Sequence, residues 1–183
     1  MAYFAVIDTE TNWADQVMSI GTVIAESGSF RCADAKYHVL TPELEIGGMY
    51  EGMLFPGEQL AHRLCTREEA MQELRGWLSG YGVTAIFAYN ASFDRNHLPE
   101  LGGFSWFDII RLAAYRQHNP KIPATAPCCS TGRLKRGYGV ESMLRLLSED
   151  HAYRETHNAM YDAMDELKIM KLLGYAPEAY IPL

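Results

Sequence analysis

The chain has 183 residues, of which 48% are hydrophobic, and its formal net charge is −7 at pH 7. These values predict a single domain over residues 1–183, and they exclude the strongly basic surface with which proteins usually grip long nucleic acids. There is no apolar stretch of about 18 residues and no signal-peptide pattern, so we expect a cytoplasmic location without a membrane contact. The four cysteines (Cys32, Cys65, Cys128 and Cys129) lack CxxC spacing, which indicates neither a zinc site nor a disulfide framework, and we assign no role to the adjacent pair.

The first predicted element is a strand over residues 3–10, an apolar run that ends in two carboxylates, Asp8 and Glu10. Side chains alternate along a strand, so these two acids point to the same side. Two neighbouring carboxylates repel each other unless a proton or a cation lies between them, and Mg²⁺ or Mn²⁺ prefers such oxygen ligands. The alternative is that Thr9 and Glu10 simply begin a polar turn.

The remaining elements alternate between strands and helices. Strands are predicted over residues 17–25, 30–40, 83–88 and 104–109, with the first two in a hairpin, and helices over residues 67–80, 110–116, 140–148 and within 156–174. Thr66 and Glu69 have the spacing of a capping box at the first helix. Residues 41–58 are predicted to form a long loop with room for a helical turn. The segment 118–139 looks irregular, and its role stays open between a solvated loop and a phosphate-contacting loop, because it holds the densest basic patch (Lys121, Arg133, Lys135 and Arg136).

Three further polar residues follow predicted elements at informative positions. Asp94 lies just past the strand at 83–88, and the ends of strands in α/β sheets host ligand sites. If that strand is a parallel neighbour of the first, Asp94 lies near Asp8. His157 and Asp162 are five residues apart and cannot share one face of a regular helix, so we place His157 before the last helix and Asp162 inside it. For Asp165 and Glu166, three and four positions further along that helix, a solvated face is favoured over the alternative of a contact with the site.

Together these residues form three ordered motifs. They are Asp8-Thr9-Glu10-Thr11, then Asn90-Ala91-Ser92-Phe93-Asp94, then His157-Asn158-Ala159-Met160-Tyr161-Asp162-Ala163. The set resembles the DEDD exonuclease superfamily, in its DnaQ-like branch with a histidine in the third motif (DEDDh). The motifs span positions 8 to 162. Two departures are that Asn12-Trp13 replaces the Thr-Gly found in many relatives, and that Tyr89 stands where many have histidine.

The resemblance implies a ribonuclease H-like α/β fold, with a five-stranded mixed sheet flanked by helices on both faces. It also implies stepwise 3′-to-5′ hydrolysis of a nucleic-acid end to nucleoside 5′-monophosphates, with two divalent cations, Mg²⁺ or Mn²⁺. This agrees with the chemistry, because phosphodiester hydrolysis develops negative charge on the attacking and leaving oxygens, and two metals stabilise both.

The resemblance also implies residue roles. Asp8, Glu10, Asp94 and Asp162 would hold the metals, and His157 would be the general base, a task that suits an imidazole because its free form titrates near about 6.5. Candidates for seating the terminal nucleotide are Thr9, Thr11, Trp13, Asn90 and Phe93, since aromatic rings stack on unpaired bases.

The sequence leaves the natural substrate open. The expected partner is a single-stranded 3′ end, with DNA of the proofreading or repair type slightly favoured over RNA, which a trimming or oligoribonuclease-type enzyme would take. A polymerase or a second copy of the chain is a further expected partner. A non-catalytic nucleic-acid-binding module on the same fold is the alternative of another class, although none of the five motif residues is missing.

Overall fold

The computed structural model describes residues 2–57 and 60–183, and six strands of this part of the chain form one mixed sheet. The strands are Tyr3–Thr11 (β1), Val17–Glu26 (β2), Cys32–Leu40 (β3), Arg63–Cys65 (β4), Ala85–Ala88 (β5) and Ser105–Asp108 (β6). Their order across the sheet is β4-β3-β2-β1-β5-β6. β1, β2 and β3 pair antiparallel, whereas β5 pairs parallel to β1 and β6 parallel to β5. The predicted hairpin is confirmed. The strand before Asp94 is a parallel neighbour of the first strand, which is the condition under which Asp94 was expected near Asp8.

The prediction of five strands was wrong by one. β4 has three residues and pairs parallel to the end of β3, at the edge of the sheet. Such a short strand carries neither an apolar run nor an alternating pattern, so periodicity does not reveal it. The preceding segment, predicted as a long loop with room for a helical turn, holds two short 3-10 helices, Glu43–Ile46 and Glu51–Met53. Residue 58, the last of the predicted loop, lies outside the described residues.

Helices cover both faces of the sheet, as predicted, and the described chain has five α-helices where the sequence predicts four. They are Arg67–Gly80 (α1), Ser92–His97 (α2), Ile110–Ala113 (α3), Val140–Ser148 (α4) and Ala159–Leu173 (α5). The predicted capping box of α1 is confirmed, because the Glu69 N–H donates to Thr66 Oγ1 while Glu69 Oε2 accepts from the Thr66 N–H. In residues 2–57 and 60–183 no helix combines the length and the apolar character that crossing a bilayer would need.

The alternation of side chains along β1 divides the core into two layers. Phe4 and Val6 pack with α4 and α5 on one face of the sheet, whereas Ala5 and Ile7 pack with α1 on the other. Asp8 and Glu10 continue the series of Phe4 and Val6. The two acids at the end of β1 are therefore placed on the face that α5 covers.

A glycine allows α5 to approach the sheet closely. Gly21 of β2 stands opposite Asp8 in the β1–β2 register. A Cβ atom at Gly21 would lie 2.0 Å from the carbonyl oxygen of Ala159, the first residue of α5. The first turn of α5 therefore rests on the backbone of β2, directly beside Asp8.

Candidate active site

The first two motifs meet at the ends of the parallel strands β1 and β5. Asp94 lies in the first turn of α2, just after β5, and its side chain is buried. Thr9, which points to the opposite face from Asp8, donates a hydrogen bond from Oγ1 to Asp94 Oδ1 over 2.8 Å. Asp108 at the end of β6 accepts a hydrogen bond from the Asn90 N–H, which fixes the turn before α2. Hydrogen bonds from neighbouring strand ends thus position the second motif.

The third motif enters through the N-terminus of α5. Asn158 is the N-cap, and its side-chain oxygen accepts hydrogen bonds from the N–H groups of Met160 and Tyr161. Its amide nitrogen donates to the hydroxyl of Tyr37 on β3 over 3.0 Å. His157 precedes the cap with φ 55°, so the chain turns sharply before the helix begins. His157 therefore lies outside the helix and Asp162 inside it, as their spacing predicts.

Three of the predicted site residues form a group suited to a metal ion. Glu10, His157 and Asp162 each offer a ligand atom, and these atoms all lie within 4.8 Å of one another. Asp162 is 4% exposed, and its Oδ1 is buried without a hydrogen-bond partner. Carboxylate oxygens such as those of Glu10 and Asp162 are ligands that fit Mg²⁺ or Mn²⁺, and an unpartnered buried oxygen is a further reason to expect a cation there.

Burial beside like charges raises the pKa of each carboxyl group at the site. Desolvation and the neighbouring acids hold the pKa of Asp8 well above its usual range. Desolvation, followed by Glu155 and Asp94, raises the pKa of Glu10 to about 7. The pKa of Asp94 is also raised to about 7 and that of Asp162 to about 8, in both cases chiefly by desolvation. These acids would ionise fully at neutral pH only with positive charge beside them, which a divalent cation supplies.

Glu166 corrects a prediction, because it does not lie on a solvated face. Its side chain is 1% exposed, and after desolvation it is the largest contributor to the raised pKa of Asp8. Burial raises the pKa of Glu166 well above its usual range, and its Oε2 has no hydrogen-bond partner among the described residues. The signal was present in the sequence, since residues four apart share a helix face and Asp162 already faces the sheet. Asp165 is half-buried and accepts a hydrogen bond from the Tyr153 hydroxyl.

Sequence analysis missed two more residues of the site. Glu155 is half-buried and raises the pKa of both Glu10 and Asp162. The ring of Tyr50 stacks on the imidazole of His157, with centroids 4.2 Å apart and planes at 14°. Neither residue belongs to a motif, and both reach the site through loops, so no periodic pattern indicated them.

The predicted nucleotide-seating residues are placed in different ways. Thr11 and Trp13 line a groove of about 320 Å³ that begins at Glu10 and is closed on its other side by Met49 and Tyr50. Trp13 is 68% exposed. Phe93 and Asn90 are exposed on and just before α2, whereas Thr9 is buried with its hydroxyl bonded to Asp94.

Tyr89 connects the site to the irregular segment 118–139. Its hydroxyl donates a hydrogen bond to the carbonyl oxygen of Tyr138. The segment contains neither a helix nor a strand, in agreement with the prediction, and it is held by isolated bridges such as Cys128 to Leu134. Both Cys128 and Cys129 are free thiols.

Comparison with known proteins gives matches only among solved structures. No protein-family model matches the chain, and no curated protein matches it. The nuclease domain of 3′hExo, a DEDDh family member bound to rAMP, aligns with TM-score 0.63 and 14% identity, over 93% of this chain and 90% of that one. A full-length 3′-exonuclease aligns with TM-score 0.64 and 13% identity, over 100% of this chain and 90% of that one.

A third structure is E. coli Exonuclease I in complex with a 5cy-dT13 oligonucleotide. It aligns with TM-score 0.60 and 13% identity, over 94% of this chain, although this chain spans only 40% of that protein. At such low identities, the structural alignments establish the fold and not the activity. By its ribonuclease H-like sheet, its flanking helices and these matches, the chain has the fold of the DEDD-superfamily 3′-to-5′ exonucleases.

Proposed function

We propose that the chain is a metal-dependent exonuclease that removes nucleotides from a single-stranded 3′ end. The observation that carries the proposal is the grouping of Glu10, His157 and Asp162, whose ligand atoms lie within 4.8 Å of one another. These residues come from opposite ends of the chain, and a nuclease of this fold is the function that needs them together. A non-catalytic binding module has no need for acids that burial makes unfavourable to ionise.

The metal-holding residues would be Asp8, Glu10, Asp94 and Asp162, as the motifs predict. Two bound Mg²⁺ or Mn²⁺ ions would supply charge stabilisation at the attacking and leaving oxygens and would favour ionisation of the water. The Thr9 hydroxyl orients the Asp94 carboxylate by a hydrogen bond, and Asn158 fixes the start of the helix that carries Asp162.

His157 would take the proton of the attacking water. Its ring is held on one face by Tyr50, and it adjoins Glu10 and Asp162. A general base must lie within hydrogen-bond reach of the proton that it removes, and stacking limits the rotation of the ring. The leaving 3′ oxygen would be protonated from solvent, because the groove beside Glu10 is open.

The groove between Trp13 and Tyr50 would hold the terminal nucleotide. It starts at Glu10 and carries an exposed indole on which a base can stack. We favour DNA slightly as the substrate, as a proofreading or repair enzyme would take. RNA is the second candidate, because two of the solved structures that match most of this chain are a 3′hExo nuclease domain bound to rAMP and a 3′-exonuclease that recognises a histone mRNA stem-loop.

The test is an exonuclease assay on matched DNA and RNA strands labelled at the 5′ end, with Mg²⁺ or Mn²⁺. We expect a ladder that shortens from the 3′ end and that disappears with EDTA and in Asp8→Ala. His157→Ala should still bind Mn²⁺ but lose most of the turnover, whereas the exposed His151→Ala should behave as wild type. Absence of shortening of either nucleic acid, or shortening that survives EDTA, would refute the proposal.

A further inference from the structure

Two adjacent basic residues near the site have no partner. Lys135 and Arg136 are exposed, and within the described residues neither side chain makes a hydrogen bond or an ion pair. Two other cations are paired with acids, Lys121 with Glu149 and Arg145 with Glu141. A chain with 23 acidic and 16 basic residues has ample acids for pairing, so two free neighbouring cations are a distinct feature of this surface.

The backbone around this pair is firmly held on both sides. Leu134 is buried, and its N–H donates to the Ala114 carbonyl over 3.0 Å, while the Lys135 N–H donates to the Pro127 carbonyl over 3.0 Å. On the other side, the Tyr138 carbonyl accepts the hydrogen bond from the Tyr89 hydroxyl. Residues 135–137 therefore form a short exposed bulge, which we call the basic bulge, with both ends fixed to the fold.

The basic bulge is linked to the site through Tyr89. The Tyr89 hydroxyl donates a hydrogen bond to the carbonyl oxygen of Tyr138, which directly follows the bulge, and Tyr89 itself directly precedes the second motif, Asn90 to Asp94. Arg133, just before the bulge, lies over the ring of Tyr138 at 4.8 Å from its centroid. Tyr138 and Tyr89 thus connect the free cations to the end of β5, where the second motif begins.

This placement answers an electrostatic requirement of the proposed function. A nucleic-acid strand carries one negative charge per phosphate, and the strand continues past the cleaved linkage into the field of an acidic protein. Metal ions offset the repulsion only at the linkage that is cut. Cations beside the site, held by a fixed backbone, attract the following phosphates without neutralising the metal ligands.

We propose that Lys135 and Arg136 bind phosphodiester groups of the substrate strand on the 5′ side of the cleaved linkage. The inference rests on the proposed nuclease function. It adds a contact with phosphates that a strand has and an isolated nucleotide lacks, so the enzyme would prefer strands as substrates. Two exposed contacts of this kind are expected to change kcat/KM by about tenfold, which corresponds to about 1.4 kcal/mol.

The test combines changes in the protein with a change in the substrate. Lys135→Gln with Arg136→Gln removes both charges at nearly constant size, and Arg75→Gln with Lys171→Gln removes two exposed charges elsewhere as a matched control. The substrates are a 12-nucleotide strand with phosphodiesters throughout and the same strand with uncharged methylphosphonates at the linkages before the last one.

For wild type and the control variant, we expect methylphosphonate substitution to lower kcat/KM by about tenfold. On the natural strand, the kcat/KM of the bulge variant should be about tenfold below that of wild type. Replacing the natural strand by the modified one should lower the kcat/KM of the bulge variant by less than about twofold. Its plot of log KM against log salt concentration should be shallower by about 1.4, or 0.7 for each contact to a single strand. An equal response of the bulge variant and wild type to methylphosphonates would overturn the inference.

A second measurement separates this inference from the proposed function. Fluorescence anisotropy with a 12-nucleotide strand whose final linkages are phosphorothioates, which resist hydrolysis, reports binding whether or not the protein cleaves. Weaker binding by the bulge variant than by the control variant supports the phosphate contact even if no strand is shortened. Equal binding by both variants refutes the contact even if the exonuclease assay succeeds.

Discussion

Replacing Asp162 by asparagine should stabilise the metal-free protein. Asp162 is 4% exposed, one of its carboxylate oxygens has no partner, and Glu155 and Glu10 lie close enough to repel its charge. Desolvation and these neighbours raise its pKa from 3.8 to about 8. Asparagine has nearly the same shape and no charge, so it relieves the penalty while it preserves packing.

The expected gain in the free energy of unfolding follows from the difference between the pKa of Asp162 in the folded state and its pKa in the unfolded state. At pH 7 the carboxyl of Asp162 is ionised in the unfolded chain but mostly protonated in the folded, metal-free protein, because its folded pKa is about 8. The folded state thus binds more protons, and its stability falls as pH rises from about 4 to about 8. A gap of about 3 pH units at about 1.4 kcal/mol each corresponds to about 4 kcal/mol. Since the asparagine amide lacks the hydroxyl donor of a protonated acid, we expect Asp162→Asn to gain about 2–4 kcal/mol.

The assay is urea unfolding in EDTA between pH 4.5 and pH 8, with Glu68→Gln as a control for the loss of an exposed charge. The gain should shrink to about 1 kcal/mol at pH 4.5, where the unfolded carboxyl is also largely protonated. Adding Mg²⁺ at one hundred times its Kd should stabilise wild type by about 2.7 kcal/mol and the variant by less. If Asp162→Asn lowered the free energy of unfolding equally at every pH, the carboxyl would not be destabilised by its neighbours and the reasoning would fail.

Three further changes test separate parts of the structure. Thr9→Val removes the hydrogen bond that lowers the pKa of Asp94, so Mg²⁺ affinity at pH 7 should fall about fivefold in calorimetric titration, with recovery in Thr9→Ser. Tyr50→Ala removes the ring stacked on His157 and should lower kcat about threefold to tenfold, whereas Tyr50→Phe should retain it; an equal loss in both would assign the effect to the hydroxyl. Thr66→Ala breaks the capping box and should reduce the free energy of unfolding by about 1 kcal/mol in urea, at unchanged Mg²⁺ affinity.

The predictable part of the molecule is the part in which local patterns and global topology agree. The apolar strand that ends in Asp8 and Glu10 and the strand that ends before Asp94 are both visible as apolar runs, and their parallel pairing was the one condition left to the structure. The position of His157 before α5 is predicted because residues five apart, such as His157 and Asp162, cannot share one face of a regular helix. These inferences depend on periodicity, which the sequence displays directly.

The unpredicted part depends on contacts between loops and distant elements. Tyr50 reaches His157 across more than one hundred positions, and Glu155 enters the site from an irregular segment. β4 forms because three residues find the free edge of β3, which no local preference encodes. The prediction for Glu166 failed for a different reason. Acids on helices usually face solvent, but α5 buries residues on most of its circumference, and Glu166 is among them.

Gly21 gives the molecule a point of unusual sensitivity. Because the Ala159 carbonyl occupies the space where a side chain would begin, a single methyl group at this position would push the C-terminal helix outward as a rigid unit. The sheet and the core layer that packs on α1 would remain, yet His157 and Asp162 would move away from Asp8 and Glu10 on the first strand. The missing Cβ of Gly21 therefore sets the distance between the acids of β1 and the residues of the third motif. Any relative whose last helix packs on the sheet in this way should have glycine at the same position.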